Sequence, residues 1–263
     1  MEGAGTILEV GSAVRDVKPG DRVLGFGGGG GWFAEQRIMP AGLVQKIPDN
    51  MPFEIAAGFP VVYGTSYYAL VERGRLRKGE TLLVHGASGG VGMTAVELGL
   101  SLSATVIGTG GNDEKLKAVT ALGASHVINY AREPIRERVL ELTQGRGADV
   151  IYDAVGGDCT DQSMRCIARN GRLLIIGFTS GRIPAVKTNL PLLKECSVIG
   201  VAFRRYGLEQ PEAHRAVIAK VLDMYAQGQL KPHVSATYPL DRVKDAMRAL
   251  MARKVVGKLV LTV

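Results

Sequence analysis

The chain has 263 residues, 46% of them hydrophobic and 22% charged, with 35 glycines that follow no collagen period; this is enough to bury the core of one large or two modest domains. Its net charge of +7 is spread along the chain, apart from a cluster at Arg73, Arg75, Arg77 and Lys78. No nucleic-acid motif accompanies the charge, which therefore reads as a solvated basic surface rather than a nucleic-acid interface.

In chain order, the first stretch reads as β structure. Thr6–Val10 alternates, and Lys18-Pro-Gly-Asp21 turns into Arg22–Leu24. Gly27 to Gly31 form a loop, Leu43–Ile47 meets Pro48-Asp49, and no long helix is expected before about Phe53. The rhythm then changes. Tyr67–Arg73 reads as helix, Thr81–Val84 as strand, Val91–Leu102 as helix and Thr105–Ile107 as strand. Helices over Glu114–Leu122, Ile135–Thr143 and Cys159–Ala168 alternate with strands at Val127–Ile128, Asp149–Tyr152 and Arg172–Ile176. This spacing predicts βαβ units and a doubly wound parallel sheet, with Val198–Val201 as a sixth strand. The tail carries amphipathic helices at Ala213–Ala226 and Val243–Met251 and ends as a strand, Gly257–Val263.

The segment Thr81-Leu-Leu-Val-His-Gly-Ala-Ser-Gly-Gly-Val-Gly92 runs from a buried strand through glycines into a helix. Gly86 permits the tight turn, Gly89 or Gly90 admits a pyrophosphate close to the backbone, and Gly92 is expected to let the helix pack closely on the sheet. Amide groups at the helix start face the anion. The strand–turn–helix context makes this a dinucleotide site, and the absence of a following Gly-Lys-Ser/Thr excludes a P-loop. A site for NAD carries an acid about 20 residues further on, at the tip of the next strand. Here that tip is Ile107-Gly-Thr-Gly-Gly-Asn112, with Asp113 and Glu114 only after it and Lys115 following. Small residues with a nearby cation leave room for a 2′-phosphate, so NADPH is expected over NADH.

Three separated cysteines, Cys159, Cys166 and Cys196, suit a reducing cytoplasm rather than a disulfide framework, and the four scattered histidines show no zinc spacing. No run of about 18 apolar residues suggests a membrane span. The N-terminus lacks the basic-then-apolar pattern of a signal peptide.

Over essentially its whole length the chain resembles the zinc-independent quinone oxidoreductases of the medium-chain dehydrogenase/reductase superfamily. The matching stretches include Glu2-Gly-Ala-Gly5, Lys18–Val23, Trp32–Glu35, Tyr63–Leu70 and His85–Gly92. Leu122–Ala124, Val127–Tyr130, Asp153–Gly157, Gly171–Leu173 and Gly257–Leu261 follow in order. The resemblance implies a Rossmann domain over residues 63–202 inserted in a partial GroES-like, β-rich catalytic domain made of residues 1–62 and 203–263. It implies hydride transfer from NADPH to a quinone or activated alkene. Ser88, Gly89, Gly90, Val91 and Gly110 fall in its cofactor loops, and Lys115 and Tyr130 match 2′-phosphate contacts. Thr65 matches a contact near the nicotinamide or its phosphates. Val155 with Gly156, and Gly177 with Phe178, match strand ends beside the nicotinamide, and Lys258 lies in a closing stretch that reaches the cofactor. It also implies a homodimer paired through the last Rossmann strand.

Two features depart from the wider superfamily. Its metal-binding branch has a Gly-His-Glu stretch and a four-cysteine lobe, whereas this chain has Met1-Glu2 and no cysteine cluster, so neither zinc is expected. Family members carry about 60 further residues ahead of the point matched by Met1, and losing those strands exposes sheet edges and part of the cleft. A mis-set start and a real truncation both fit. No catalytic triad presents itself, and no Tyr-x-x-x-Lys occurs. The proton is then left to solvent or a ribose hydroxyl, and the catalytic residue is unassigned. Two further readings stand beside a quinone or enone reductase. One is an enoyl-thioester reductase, suggested by a loop shared with synthase modules. The other is an NADPH-binding protein with little turnover, suggested by the missing segment.

Overall fold

A computed structural model describes residues 2–263. The chain divides into two compact units, one made of the residues up to Gly64 together with Phe203–Val263, the other of Thr65–Ala202.

In the first unit, β1 (Glu2–Thr6), β2 (Arg22–Phe26) and β3 (Val44–Lys46) form an antiparallel sheet in the order β1-β2-β3. The strand expected over Thr6–Val10 lies earlier. Ile7 leaves the ladder because its amide donates to the Asp21 carbonyl and its carbonyl accepts from Gly20, which ties it to the Lys18–Asp21 turn. The Gly27–Gly31 loop is fastened from within. Trp32 Nε1 donates to the carbonyls of Gly27 and Gly29 at 3.0 and 3.1 Å, and Arg37 stacks over the indole while donating to Gly28. Short helices α1 (Phe53–Ala57) and α2 (Pro60–Tyr67) follow, and α2 continues as a π-helical turn through Arg73.

The second unit is a parallel sheet covered by helices. In chain order its elements are β4 (Thr81–His85), α3 (Gly90–Ser101), β5 (Thr105–Gly110), α4 (Asp113–Ala121) and β6 (His126–Asn129). Then come α5 (Ile135–Leu142), β7 (Ala148–Asp153), α6 (Asp158–Cys166), β8 (Ile167–Ile175), α7 (Asn189–Lys194) and β9 (Ser197–Gly200). The six strands lie in the order β6-β5-β4-β7-β8-β9. Numbered within the sheet this is 3-2-1-4-5-6, the order of dinucleotide-binding folds, whose topological switch falls between β4 and β7. Every residue of β4 is buried, as a strand covered on both faces requires, and Leu83 pairs in register with Ile107 and Ile151. Leu83, Ile107, Ile128, Ile151 and Leu173 from five strands join Val139 of α5 in one apolar core.

One boundary differs from expectation. Ile167 and Ala168, expected to end a helix, begin β8, because Ile167 pairs with Ala148 of β7. The ladder then shifts register to Val150 opposite Arg172, with Asn170 at a φ of 59°. The bulge absorbs the extra residues.

The chain then returns to the first unit with α8 (Phe203–Glu209), α9 (Pro211–Ala226), β10 (Val234–Pro239), α10 (Val243–Met251) and β11 (Lys258–Thr262). Strand β11 pairs in parallel with β10, which the sequence pattern did not reveal. No helix among the described residues is long and apolar enough to cross a membrane.

Candidate functional site

The site is built where β4 ends. His85 is its last residue, and Gly86 turns the chain with a φ of 64°, a region that favours glycine. The Gly89 amide returns to the Gly86 carbonyl at 2.9 Å, and the Ala87 amide reaches the Thr109 carbonyl of β5 at 2.9 Å. Helix α3 then starts at Gly90 with no acidic residue in its first turn. Its first closing bond runs from Met93 to Gly89, so helix geometry leaves the amides of Gly90, Val91 and Gly92 without intrahelical acceptors, at the positive end of the helix dipole. This is anion-binding geometry at the carboxyl end of the central strand.

The role expected for Gly92 changes in the structure. A Cβ on Gly92 would stand 2.1 Å from the Gly86 carbonyl oxygen and 2.8 Å from Ala87 Cα. Gly92 therefore lets α3 close on its own turn. The close approach of helix to sheet falls to Gly99, where a Cβ would meet Leu82 at 2.5 Å and Val106 at 3.1 Å. The bare surface at the turn is what a dinucleotide pyrophosphate requires, so the residues present fit such a group.

Four further strand ends contribute residues near the turn. At β5, Gly110 is buried and Asn112 caps α4, its side chain accepting the Lys115 amide at 3.1 Å. Tyr130, just past β6, donates its amide to the Gly110 carbonyl and lays its ring on Gly111, where a Cβ would come within 2.9 Å of the ring. Asp113, the first carboxylate after β5, is engaged by Arg132 at 2.6 Å and by the Asn129 amide. At β7, buried Asp153 accepts the amides of Val155 and Gly156 at 2.9 and 2.8 Å and the Thr160 hydroxyl. The Asp153 carbonyl accepts the amides of Ile176 and Gly177 beyond β8. Phe178 folds against Gly156, whose Cβ would lie 2.9 Å from its ring. Val155 in turn faces the glycine turn, 3.1 Å from where a Gly86 Cβ would be.

Thr65 sits in α2 beside Ser66, which is fully buried. The Ser66 hydroxyl is 3.0 Å from the Val91 carbonyl, 2.8 Å from the Thr94 hydroxyl and 3.0 Å from the Tyr152 hydroxyl. That cluster seats the end of α2 on the first turn of α3. Burial pushes the Tyr152 phenol well above its ordinary value, so it stays neutral.

The residues Thr65, Ser88, Gly89, Gly90, Val91, Gly110, Lys115, Tyr130, Val155, Gly177 and Phe178 thus all belong to the second unit. Lys258 belongs to the first, where its ammonium binds Glu2 at 2.6 Å while the other Glu2 oxygen accepts the Val61 amide at 2.7 Å.

Sequence reasoning missed the polar layer beneath the turn. His85 Nδ1 lies 2.9 Å from the Thr109 hydroxyl and Nε2 lies 2.7 Å from Ser163 Oγ. The Ser163 hydroxyl donates to the Cys159 carbonyl, so Nε2–H is the donor to Ser163 and Nδ1 accepts from Thr109. Burial lowers the His85 pKa, against an opposing pull from Asp153, and the ring is neutral. Burial, with Asp153 and Asp158 nearby, pushes the Cys159 thiol up to about 12, which removes it as a nucleophile. Such a layer is visible in sequence only as polar residues at the ends of apolar strands, a signal that turns share. Among the described residues no three His, Cys, Asp or Glu side chains gather as a metal-binding group. A cleft of about 390 Å³ lies in the first unit between Val44, Ile47, Arg215 and Leu222, and shares no residue with the turn.

Known proteins agree with this geometry. A family model described as zinc-binding dehydrogenase matches residues 90–223. The quinone oxidoreductase-like protein 2 homolog of Nematostella vectensis is 40% identical over 260 residues, covering 98% of this chain and 71% of the relative. The crystal structure of Pseudomonas syringae quinone oxidoreductase superposes with a TM-score of 0.92 at 32% identity, over 100% of this chain and 81% of that one. That of Escherichia coli quinone oxidoreductase complexed with NADPH does so with a TM-score of 0.92 at 30% identity and the same coverage. The fold, the glycine turn and these similarities together make the chain a member of the quinone oxidoreductase-like family of medium-chain dehydrogenases/reductases.

Proposed function

We propose that the chain is an NADPH-dependent reductase of quinones or α,β-unsaturated carbonyl compounds. The observation that carries this is the Gly86–Gly92 turn at the β4/β7 switch point, open to an anion and free of acidic side chains. The NADPH complex of the Escherichia coli relative supports the choice of cofactor. In this reading Ser88, Gly89, Gly90 and Val91 hold the pyrophosphate. Gly110, Lys115 and Tyr130 hold the ribose 2′-phosphate. Thr65, Val155, Gly177 and Phe178 flank the nicotinamide. When bound, the nicotinamide supplies the hydride. The protein contributes position and dryness: Asp153 fixes the Val155–Gly156 and Ile176–Gly177 backbones on which orientation depends. His85 and Cys159 are buried, and both ring nitrogens of His85 are engaged by Thr109 and Ser163, so the proton is left to solvent or a ribose hydroxyl.

Two finer readings go with this. A second copy pairs along β9, the exposed edge of the sheet, where Val198 and the neighbouring Leu192 and Leu193 of α7 face outward. Three free thiols suit the cytoplasm.

The test is calorimetric titration with NADPH and NADH, followed by NADPH oxidation with 1,4-benzoquinone and with a crotonyl thioester. Tighter NADPH binding and quinone-dependent oxidation are expected. Turnover of the thioester alone would reassign the substrate, and binding without any turnover would overturn the enzymatic reading.

A further inference from the structure

The strand end that selects between the two nicotinamide cofactors contains a carboxylate, and the structure shows what becomes of it. Asp113 is the first residue of α4, close behind the tip of β5. In dinucleotide folds a free carboxylate in this region accepts the ribose 2′-hydroxyl and repels a 2′-phosphate. Here neither oxygen is free. Oδ2 lies 2.6 Å from Arg132 Nη2, and Oδ1 accepts from Asn129 Nδ2 at 2.5 Å. Both partners belong to the short turn that also presents Tyr130. That turn is fixed: Asn129 is buried, its side-chain oxygen accepts the Ala131 amide at 3.0 Å, and its carbonyl accepts the Arg132 amide at 2.9 Å.

We infer that Arg132, aided by Asn129, is a specificity-determining residue that acts through Asp113, cancelling its charge beside the 2′-phosphate site. This rests on the NADPH reading above. Asp113 has its own reason to be present, since a carboxylate at the first helical position complements the α4 dipole. Exposed ion pairs add little to folding stability, so the consequence of this one lies in the local potential. A charge left uncompensated within a few ångströms of a phosphate, partly in solvent, weakens its binding by about tenfold.

The experiment measures dissociation constants of the full chain for NADPH, NADH, 2′,5′-ADP and 5′-AMP by calorimetry, without turnover. Wild type is expected to prefer NADPH; equal affinity for the two would overturn the cofactor reading itself, whatever the variants do. Given that preference, Arg132→Ala lowers the NADPH-to-NADH affinity ratio and the affinity for 2′,5′-ADP by about tenfold, and leaves 5′-AMP unchanged. Adding Asp113→Asn to Arg132→Ala restores both to within about twofold, because the two residues form one coupled unit. An unchanged ratio in Arg132→Ala would overturn the proposal. So would a loss that Asp113→Asn does not repair, which would make Arg132 a direct phosphate ligand.

Discussion

Replacing Gly92 by alanine tests the turn at its tightest point. The new Cβ would stand 2.1 Å from the Gly86 carbonyl oxygen, with Ala87 Cα at 2.8 Å. Both are backbone atoms, so no side chain can swing away; either α3 retreats along its first turn by about 1 Å or the Gly86–Ala87 peptide rotates. Overpacking of this kind costs about 1–3 kcal/mol, and at about 2–4 °C per kcal/mol for a chain of this size the melting temperature falls by about 2–12 °C. The effect on ligand binding is larger than the effect on stability. The amides of Gly90 and Val91 are displaced with the helix, and a misplacement of about 1 Å in a positioned site costs about 100-fold. The assay is NADPH titration by intrinsic fluorescence alongside a thermal melt, with Gly42→Ala as control, since nothing lies within 4 Å of a Cβ there. A Gly92→Ala protein that melts and binds NADPH as wild type does would show that the turn accommodates a Cβ without moving its amides.

Three further outcomes follow from the packing. His214 lies against Phe203 and Phe26, with ring centroids at 4.2 and 5.0 Å, and burial lowers its pKa to about 4; burial lowers that of His85 as well. Both rings are neutral when folded, whereas the unfolded chain takes up protons below about pH 6.5, so their contribution to stability is complete above that pH and declines as the pH falls towards 4. Urea midpoints should fall over that window, and His214→Phe should flatten the slope by about 1.4 kcal/mol per pH unit; an unaltered slope refutes the assignment. Lys258→Met takes the ammonium away from the Glu2 carboxylate, whose side chain is 7% exposed, at a cost of about 3 kcal/mol in chemical denaturation. Glu2→Gln combined with Lys258→Met should recover most of it, and a harmless single variant would show that the pair is not coupled. Val198→Lys on the β9 edge should convert a dimer to a monomer in light scattering, and a dimer that survives it does not pair through β9.

The alternation of strand and helix was legible because a parallel sheet covered on both faces demands short apolar strands such as Leu82-Leu-Val84, while each crossover helix shows a 3.6-residue period. The glycine turn was legible because Gly86 and Gly92 occupy positions that other residues fill only with strain or collision. The strand at β10 escaped notice because its partner, β11, lies at the far end of the tail, and pairing between distant segments leaves little local trace. The same cause moved the start of β8 to Ile167, which left its expected helix to pair with Ala148.

The fold class, the glycine-rich strand-to-helix turn and the lack of a zinc-ligand pattern could all be read from the chain alone, since each depends on residue type at short spacing. Three-dimensional packing was needed to show which glycine contacts which backbone, that His85 bridges Thr109 and Ser163, that Asp153 accepts from Thr160, and that Asp113 is held by Arg132. Those contacts join residues from different strand ends. Their partners are set by sheet order and by the direction each crossover takes, which no local pattern of side chains records.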